Sequence, residues 1–117
     1  MKNLGKAQGT YPGRLQADTI AVVILVATVE QHFTAPTGAN IAIFSATDNF
    51  YCLINGQTAA VPVATSVSFP SPNTVPELNP TLLAVTGGTT LISLVASGTP
   101  TITISFYQDT YSAATPT

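Results

Sequence analysis

Two short apolar runs, residues 41–44 and 50–54, flank a cluster of turn-forming residues at 45–49. Asp and Asn in such a cluster bond to their own backbone and tolerate left-handed conformations, so the chain can reverse direction there. Asn55-Gly56 indicates a second reversal, because both central residues of a type I′ turn need positive φ. The sequence therefore predicts a three-stranded meander over residues 41–62, with the other strands arranged around it.

The most apolar segment of the chain is residues 20–27, a continuous run rich in Val and Ile. A short β-branched run of this kind is typical of a strand buried on both faces. Residues 28–33 are predicted to continue the strand in alternation, with Val29 and Phe33 directed inward.

Further strands are predicted between turns marked by Gly and Pro, at residues 61–67, 81–86, 89–96 and 101–107. The last of these has the clearest alternation. Its predicted inward residues are Ile102, Ile104 and Phe106, and its predicted outward residues are Thr101, Thr103, Ser105 and Tyr107. Proline locks φ and removes a donor, so residues 69–80, with four prolines, are expected to form a stiff extended loop. Such a loop suits either a contact surface or a crossover between sheets.

Seven or eight strands joined by short turns, with no helical period, predict an all-β fold. The expected architecture is a β-sandwich of jelly-roll or immunoglobulin-like topology, and the pattern does not choose between the two. A length of 117 residues is typical of one domain. We expect an extended N-terminal arm at residues 1–19, the sandwich at 20–110 and a C-terminal tail at 111–117. The arm is expected to be held by a neighbour or by the domain's own surface.

Charge is scarce and unevenly placed. Only 7% of the residues are charged, against about 25% in typical domains, while the chain has nineteen Thr and eight Ser. The exposed faces must therefore be rich in hydroxyl groups and nearly uncharged, which favours a protein that works within an assembly. The three basic residues, Lys2, Lys6 and Arg14, all lie near the N-terminus. A net charge of −2 gives no electrostatic reason to bind nucleic acid, so the arm is interpreted as a short contact segment.

Residues that carry catalytic or metal chemistry are few. His32, the single histidine, would share a strand face with Glu30, but a metal site needs three or four ligands. We interpret these two residues as a polar pair at a strand end. Ser45 and Cys52 lack the surroundings of an activated nucleophile, and the lone Cys52 is expected to be buried and inert. The sequence therefore predicts neither an enzyme nor a cofactor site.

The chain also lacks the usual signals for membranes, export and sugars. The longest apolar run, residues 20–27, is far shorter than the ~20 residues needed to span a bilayer. A weakly basic segment precedes the run, but Asp18 adjoins it and no A-x-A site follows, so we expect synthesis in the cytoplasm without export. Without Trp, a sugar platform would depend on Tyr residues, for which packing is the more common role. These are Tyr11, Tyr51, Tyr107 and Tyr111.

An ordered set of motifs spans residues 40–107. It comprises Phe-Ser-Ala-Thr-Asp-Asn-Phe-Tyr at 44–51, Ala-Ala-Val-Pro at 59–62, Glu-Leu-Asn-Pro at 77–80, Ser-Leu-Val-Ala at 93–96 and Ile-Ser-Phe at 104–106. The set resembles small structural proteins of tailed bacteriophages, which often carry an F-S-A-T-x-x-F-Y hairpin, an A-A-V-P step and an E-L-x-P element. The resemblance implies a virion component, and capsid decoration (cement) proteins, head fibres and neck proteins all use such sandwiches.

The combined expectation is a homo-oligomeric decoration protein, a dimer or trimer, on the outer surface of a capsid. Its partner would be the major capsid protein, and it would contact neither nucleic acid nor membrane. The residues expected at the capsid contact are Lys2, Lys6, Tyr11, Arg14, Pro70, Pro72 and Pro76. A neck, tail or head-fibre component, or a module that binds a host surface or glycan, is the alternative.

Overall fold

The apolar segments of the sequence form two antiparallel β-sheets. The structure is a computed structural model that describes residues 1–3, 16–54, 56–62 and 76–109. Its eight strands are β1 (Thr19–Ile24), β2 (Gln31–Thr34), β3 (Ile41–Ala46), β4 (Tyr51–Leu53), β5 (Glu77–Leu78), β6 (Leu82–Ala84), β7 (Leu91–Val95) and β8 (Thr101–Tyr107). The first sheet has the order β1-β8-β3-β6 and the second β2-β7-β4-β5. The predicted all-β sandwich is therefore confirmed.

The pairing of the strands identifies the topology. The chain pairs β1 with β8, β2 with β7, β3 with β6, and β4 with β5, all antiparallel. These are the pairs of one long hairpin, and the additional pairs β3 with β8 and β4 with β7 show that this hairpin is wrapped around itself. An eight-stranded hairpin wrapped into two sheets is the jelly roll. Of the two topologies that the sequence leaves open, the structure has this one.

The predicted meander over residues 41–62 is wrong, because β3 and β4 belong to different sheets. The turn between them crosses the sandwich. Phe44 and Phe50 flank this turn, and their buried rings stack with centroids 5.9 Å apart. Residues 56–62 contain no strand, although Gly56 has the expected positive φ of 89°. Burial of both rings between the two sheets removes their apolar surface from water, which stabilises the crossing turn.

The expectation for residues 20–27 also needs correction. The strand ends at Ile24, and only alternate side chains pack inward. Ala21 and Val23 contact the core and Thr19 is half-buried, whereas Ile20, Val22 and Ile24 are exposed. The physical reason is that β1 lies at the edge of the first sheet and has the core on one face only.

Residues 28–33 do not continue this strand. The chain turns after β1, where the Val29 N–H donates to the Val26 carbonyl at 3.0 Å and Thr28 has a φ of 62°. The turn carries the chain to β2 in the second sheet. Val29 is exposed, contrary to expectation, because it belongs to the turn. Phe33 points inward as predicted and meets Phe106 edge to face at 6.2 Å.

The central strands β7 and β8 contribute most of the largest fully buried side chains. The predicted inward residues of β8, Ile102, Ile104 and Phe106, are buried. Tyr107 lies on the outward side as predicted, aligned with Ile41, yet it is fully buried. Near this end of β8, residues 1–3 run alongside the chain, and the Gln108 N–H donates to the Lys2 carbonyl at 2.8 Å. The beginning of the chain is thus docked on the domain's own surface.

The proline-rich loop contains a strand that the sequence pattern did not predict. Residues 77–78 form β5, which pairs with β4. Asn79 follows with a φ of 49°, and its side-chain oxygen accepts a hydrogen bond from the Phe50 N–H at 2.9 Å. Residues 61 and 62 are not in a strand, and the rest of the predicted strand at 61–67 and most of the 69–80 loop lie outside the described residues.

Candidate functional site: an uncharged sheet face

The outer side of the first sheet is uncharged. In an antiparallel sheet, residues aligned across strands share a face, and alternate residues of each strand point to the same side. Ile20 of β1 aligns with Ser105 of β8, which aligns with Ile43 of β3, which aligns with Leu82 of β6. We call this side of the sheet the open face. Its members are Ile20, Val22, Ile24, Ile41, Ile43, Ser45, Leu82, Ala84, Thr101, Thr103, Ser105 and Tyr107, the last of which is fully buried.

The open face exposes large apolar side chains. The exposed fractions are 46% for Ile20, 61% for Val22, 69% for Ile24 and 55% for Leu82. The central strand β8 places Thr and Ser between these apolar edges. Large apolar side chains are thus exposed along both edges of this face, with hydroxyl groups between them, and exposed apolar surface of this size is a common feature of interaction sites. The open face is therefore the part of the described structure best suited to docking on a flat, weakly charged partner surface.

The outer side of the second sheet is covered by the chain itself over β4 and β7, while Leu78 of β5, on the same side, is exposed. Leu53 of β4 and Val95 of β7 are buried there, in a small cluster with Ala59. Tyr51 and Val61 pack against this cluster. The segment 56–62, which the sequence suggested would be a strand, instead lies over the sheet as a cover.

A polar cluster anchors this cover. The Ser93 hydroxyl is fully buried; it accepts a hydrogen bond from the Ala59 N–H at 2.9 Å and donates one to Glu30 Oε2 at 2.5 Å. His32 Nδ1 lies 3.0 Å from each oxygen of the same carboxylate. The predicted pairing of Glu30 with His32 is confirmed. Ser93, sixty-three residues from Glu30, joins the pair, and no local pattern predicts this contact.

The cluster holds the Glu30 carboxylate in its ionised form. Partial burial favours the neutral acid, but hydrogen bonds from Ser93 and His32 outweigh it and lower the pKa of Glu30 below its ordinary value. The carboxylate lies between the hydroxyl and the imidazole. In a nucleophilic relay the imidazole must lie between the hydroxyl and the acid, so this order is that of a structural network.

The remaining candidates for chemistry are the thiol of Cys52 and the side chains that could bind a metal ion. Cys52 is buried as predicted, and burial together with the nearby Glu77 carboxylate raises the pKa of its thiol to about 12. The reactive thiolate is therefore scarce at neutral pH. In the described parts of the chain, no three His, Cys, Asp or Glu side chains are grouped to hold a metal ion.

A groove of about 270 Å³ opens at one end of the sandwich, between residues 44–50 and 79–81. Polar groups of the groove bond to one another: the Asp48 carboxylate accepts from the backbone N–H of Asn49, and the Asn79 side chain donates to the Asn49 side chain at 2.8 Å. The rings of Phe44 and Phe50 are buried and offer no exposed platform for a sugar. The groove is thus a consequence of the crossing turn.

Of the seven residues expected at the capsid contact, two lie in described parts of the chain. Lys2 is exposed beside Gln108, at the end of the first sheet, and Pro76 is half-buried just before β5 of the second sheet. Lys6, Tyr11, Arg14, Pro70 and Pro72 lie outside the described residues. The sequence analysis did not identify the open face, although the scarcity of charge indicated that such a surface must exist.

The described residues form no helix with the length and apolarity needed to cross a membrane. Comparisons of the chain with protein-family models, with curated proteins and with solved structures find no match.

Proposed function

We propose that the protein is a non-enzymatic structural component of a tailed-bacteriophage virion, a decoration protein that binds the assembled shell of the major capsid protein. The observation that carries this proposal is the open face, an exposed sheet surface of Ile, Val, Leu, Thr and Ser without a charged residue. A protein that binds only the assembled shell stabilises it by mass action and needs no catalytic group.

Three further features support the proposal. The motif set at residues 40–107 resembles small phage structural proteins, and the jelly roll is a fold that viral capsid proteins use, although one fold serves many functions. The content of charged residues, 7%, is low for a protein that is solvated on all sides. The docked position of residues 1–3 beside Gln108 places the start of the predicted contact arm next to the first sheet.

The direct test is rebinding of purified protein to particles that lack it. Capsids produced from a phage with this gene deleted are mixed with the protein and sedimented, and the bound fraction is measured. We expect saturable binding of wild type. Leu82→Asp places a charge in the open face and should weaken binding about tenfold or more, because the carboxylate must lose its hydration at the contact.

The matched control is Thr89→Asp, which adds the same charge at an exposed turn outside the open face. This variant should bind as wild type does. Equal binding by Leu82→Asp and wild type would exclude the open face as the contact. A variant lacking residues 1–14 tests the arm separately: undiminished binding would show that the arm makes no contact.

A neck, tail or head-fibre role makes a different prediction from the same particles. A map of the intact virion should show the protein repeated over the whole shell if it is a decoration protein. A position confined to the portal vertex or to fibres would replace the decoration role with that alternative.

A further inference from the structure

We infer that the free edge of β1 pairs with β1 of a second copy of this chain, joining two first sheets into one continuous eight-stranded sheet. Strand β1 is at the end of its sheet, and in the described structure only β8 pairs with it. An exposed apolar edge strand presents unsatisfied backbone groups to any suitable partner. This inference concerns the protein alone and does not rest on capsid binding.

The backbone groups on this edge follow from the pairing with β8. Hydrogen-bonded and non-bonded pairs alternate along an antiparallel ladder. The Leu25 N–H donates to the Pro100 carbonyl at 3.0 Å, so the pairs of Val23 and Ala21 with β8 are also hydrogen-bonded. The N–H and C=O groups of Ile20, Val22 and Ile24 therefore point away from β8, toward the free edge.

Length and charge distinguish β1 from the other edge strands of the two sheets. Natural proteins protect sheet edges with charges or with very short strands. Next to β2 lies Glu30, β5 begins with Glu77, and β6 has only three residues. Strand β1 has six residues and no charge. Asp18 precedes β1 as Glu30 precedes β2, so the difference lies in the strand itself: β1 is the longest edge strand of the described sandwich and has no charge within it.

The occupant is a second copy because β1 is complementary to itself. In an antiparallel arrangement centred on Val22, Ile20 lies opposite Ile24 of the second copy, and Val22 lies opposite its own equivalent. Pairs of β-branched residues in direct opposition stabilise a sheet. Asp18 then lies opposite Val26, so no like charges face each other.

The register is restricted by the same geometry. Only residues whose N–H and C=O groups point to the free edge can bond to the second copy. A shift of the pairing by one residue would place edge-facing residues opposite residues that bond to β8, so this register is excluded. A shift by two residues in one direction brings Asp18 opposite Ile24, and in the other direction it uses Val26, which lies beyond the strand. In the arrangement centred on Val22, the edge-facing residues Ile20, Val22 and Ile24 pair only with one another, and no charged residue lies opposite them.

The two-fold axis is perpendicular to the sheet, so both open faces lie on the same side of the dimer. An edge of five residues is only about 17 Å long and contributes less area than a standard interface. We therefore expect a dimer that dissociates on dilution, and whose open face is twice as wide as that of one chain.

Disulfide trapping tests both the contact and its register. Val22→Cys places two thiols opposite each other in a hydrogen-bonded pair with Cα atoms about 5.5 Å apart, which suits a disulfide. Oxidised glutathione is the oxidant, and the linked dimer is measured on a non-reducing gel. We expect most of the Val22→Cys protein to be cross-linked. Cys52 is buried and should not compete.

Two matched controls have cysteine elsewhere on the same face. In Ile20→Cys each thiol lies opposite Ile24 of the second copy, so the two thiols are four residues apart along the strand. In Thr103→Cys the thiol lies on the central strand β8, away from the edge. Both should remain monomeric on the gel. Cross-linking of all three variants to the same extent would overturn the inference, because it would report random collision.

Dissociation is tested independently by analytical ultracentrifugation without capsids. Wild type should show a dimer at high concentration. Val22→Pro removes an N–H that faces the edge, a position that tolerates proline, and should be monomeric with an unchanged thermal transition. Should that variant unfold, Val22→Lys supplies the same test through charge. A wild type that is monomeric at every concentration would overturn the inference, even if the protein binds capsids.

Discussion

The outer faces of the two sheets differ in what lies on them. On the second sheet, residues 56–62 pack over Leu53 and Val95, and the buried Ser93 hydroxyl anchors the cover through the Ala59 N–H. On the first sheet, equally apolar side chains such as Val22 and Leu82 are exposed. Similar residue types therefore stabilise the fold on one face and remain available for contacts on the other.

The two faces also differ in their polar groups. Glu30 and His32 lie on the covered side, where they form hydrogen bonds with Ser93 and with each other. The open face has hydroxyl groups of Thr and Ser instead, which can bond to a partner without the high cost of removing a charge from water. The ionisable pair thus stabilises the fold on one face, and uncharged hydroxyl groups are available for contacts on the other.

The largest expected difference between the two faces comes from one substitution made in both. Leu53→Ala removes a side chain that is 7% exposed, and we expect a loss of about 3 kcal/mol in the free energy of unfolding. Leu82→Ala removes a side chain that is 55% exposed, and the loss should be within about 0.5 kcal/mol. Urea denaturation followed by circular dichroism measures both. Equal losses would show that the open face is also packed.

A second pair of variants compares hydroxyl groups on the two central strands. Ser93→Ala removes the partner of the Ala59 N–H and of Glu30, so the unfolding free energy should fall by about 2 kcal/mol. Ser105→Ala, on the open face, should change it by less than about 0.5 kcal/mol. Hydrogen exchange of the Ala59 amide should accelerate in the first variant only. An unchanged Ala59 amide would mean that the cover does not depend on Ser93.

The smallest effect concerns pH. The pKa of Glu30 is lower in the folded protein than its ordinary value of 4.5, so the unfolded state binds more protons at acidic pH. The stabilisation is thus complete above pH 4.5 and is lost as the pH falls through the folded value. Glu30→Gln should reduce this acid-dependent loss, at a cost of about 1 kcal/mol near pH 7.

Thermal unfolding of wild type and variant between pH 3 and 7 measures this dependence. Ser93→Ala should also weaken it, because its hydroxyl is one of the groups that lower the pKa. If wild type and Glu30→Gln lose the same thermal stability between pH 7 and pH 3, the Glu30 carboxylate does not stabilise the covered face.

Local patterns predicted several features correctly. The alternation in residues 101–107 identified β8 and its inward residues, because a strand with one face in the core repeats with a period of two. The burial of Cys52 and the contact of Glu30 with His32 also followed from local composition and spacing. The expectation failed where two arrangements produce the same local pattern, as for the turn at 45–49, which joins sheets and not neighbouring strands.

The candidate docking face was less predictable than the fold. Residues 20–27 are apolar at every position, so the sequence could not show which of their faces meets the core. Which face of β1 meets the core depends on its pairing with β8, and which sheet is left open depends on residues 56–62 covering the other one. The expected contact residues came mainly from the arm and the proline-rich loop, and only Lys2 and Pro76 lie in described parts of the structure.

The sequence alone determined that the chain is all-β, that its surface is rich in hydroxyl groups, and that its single thiol is buried. These properties depend on composition and on short-range alternation, which each segment carries by itself. Tertiary structure alone decided which strands are neighbours, that the topology is a jelly roll, and which sheet face is covered. The pairing of β1 with β8 joins segments about 80 residues apart, and such long-range contacts depend on how the whole chain buries its apolar surface.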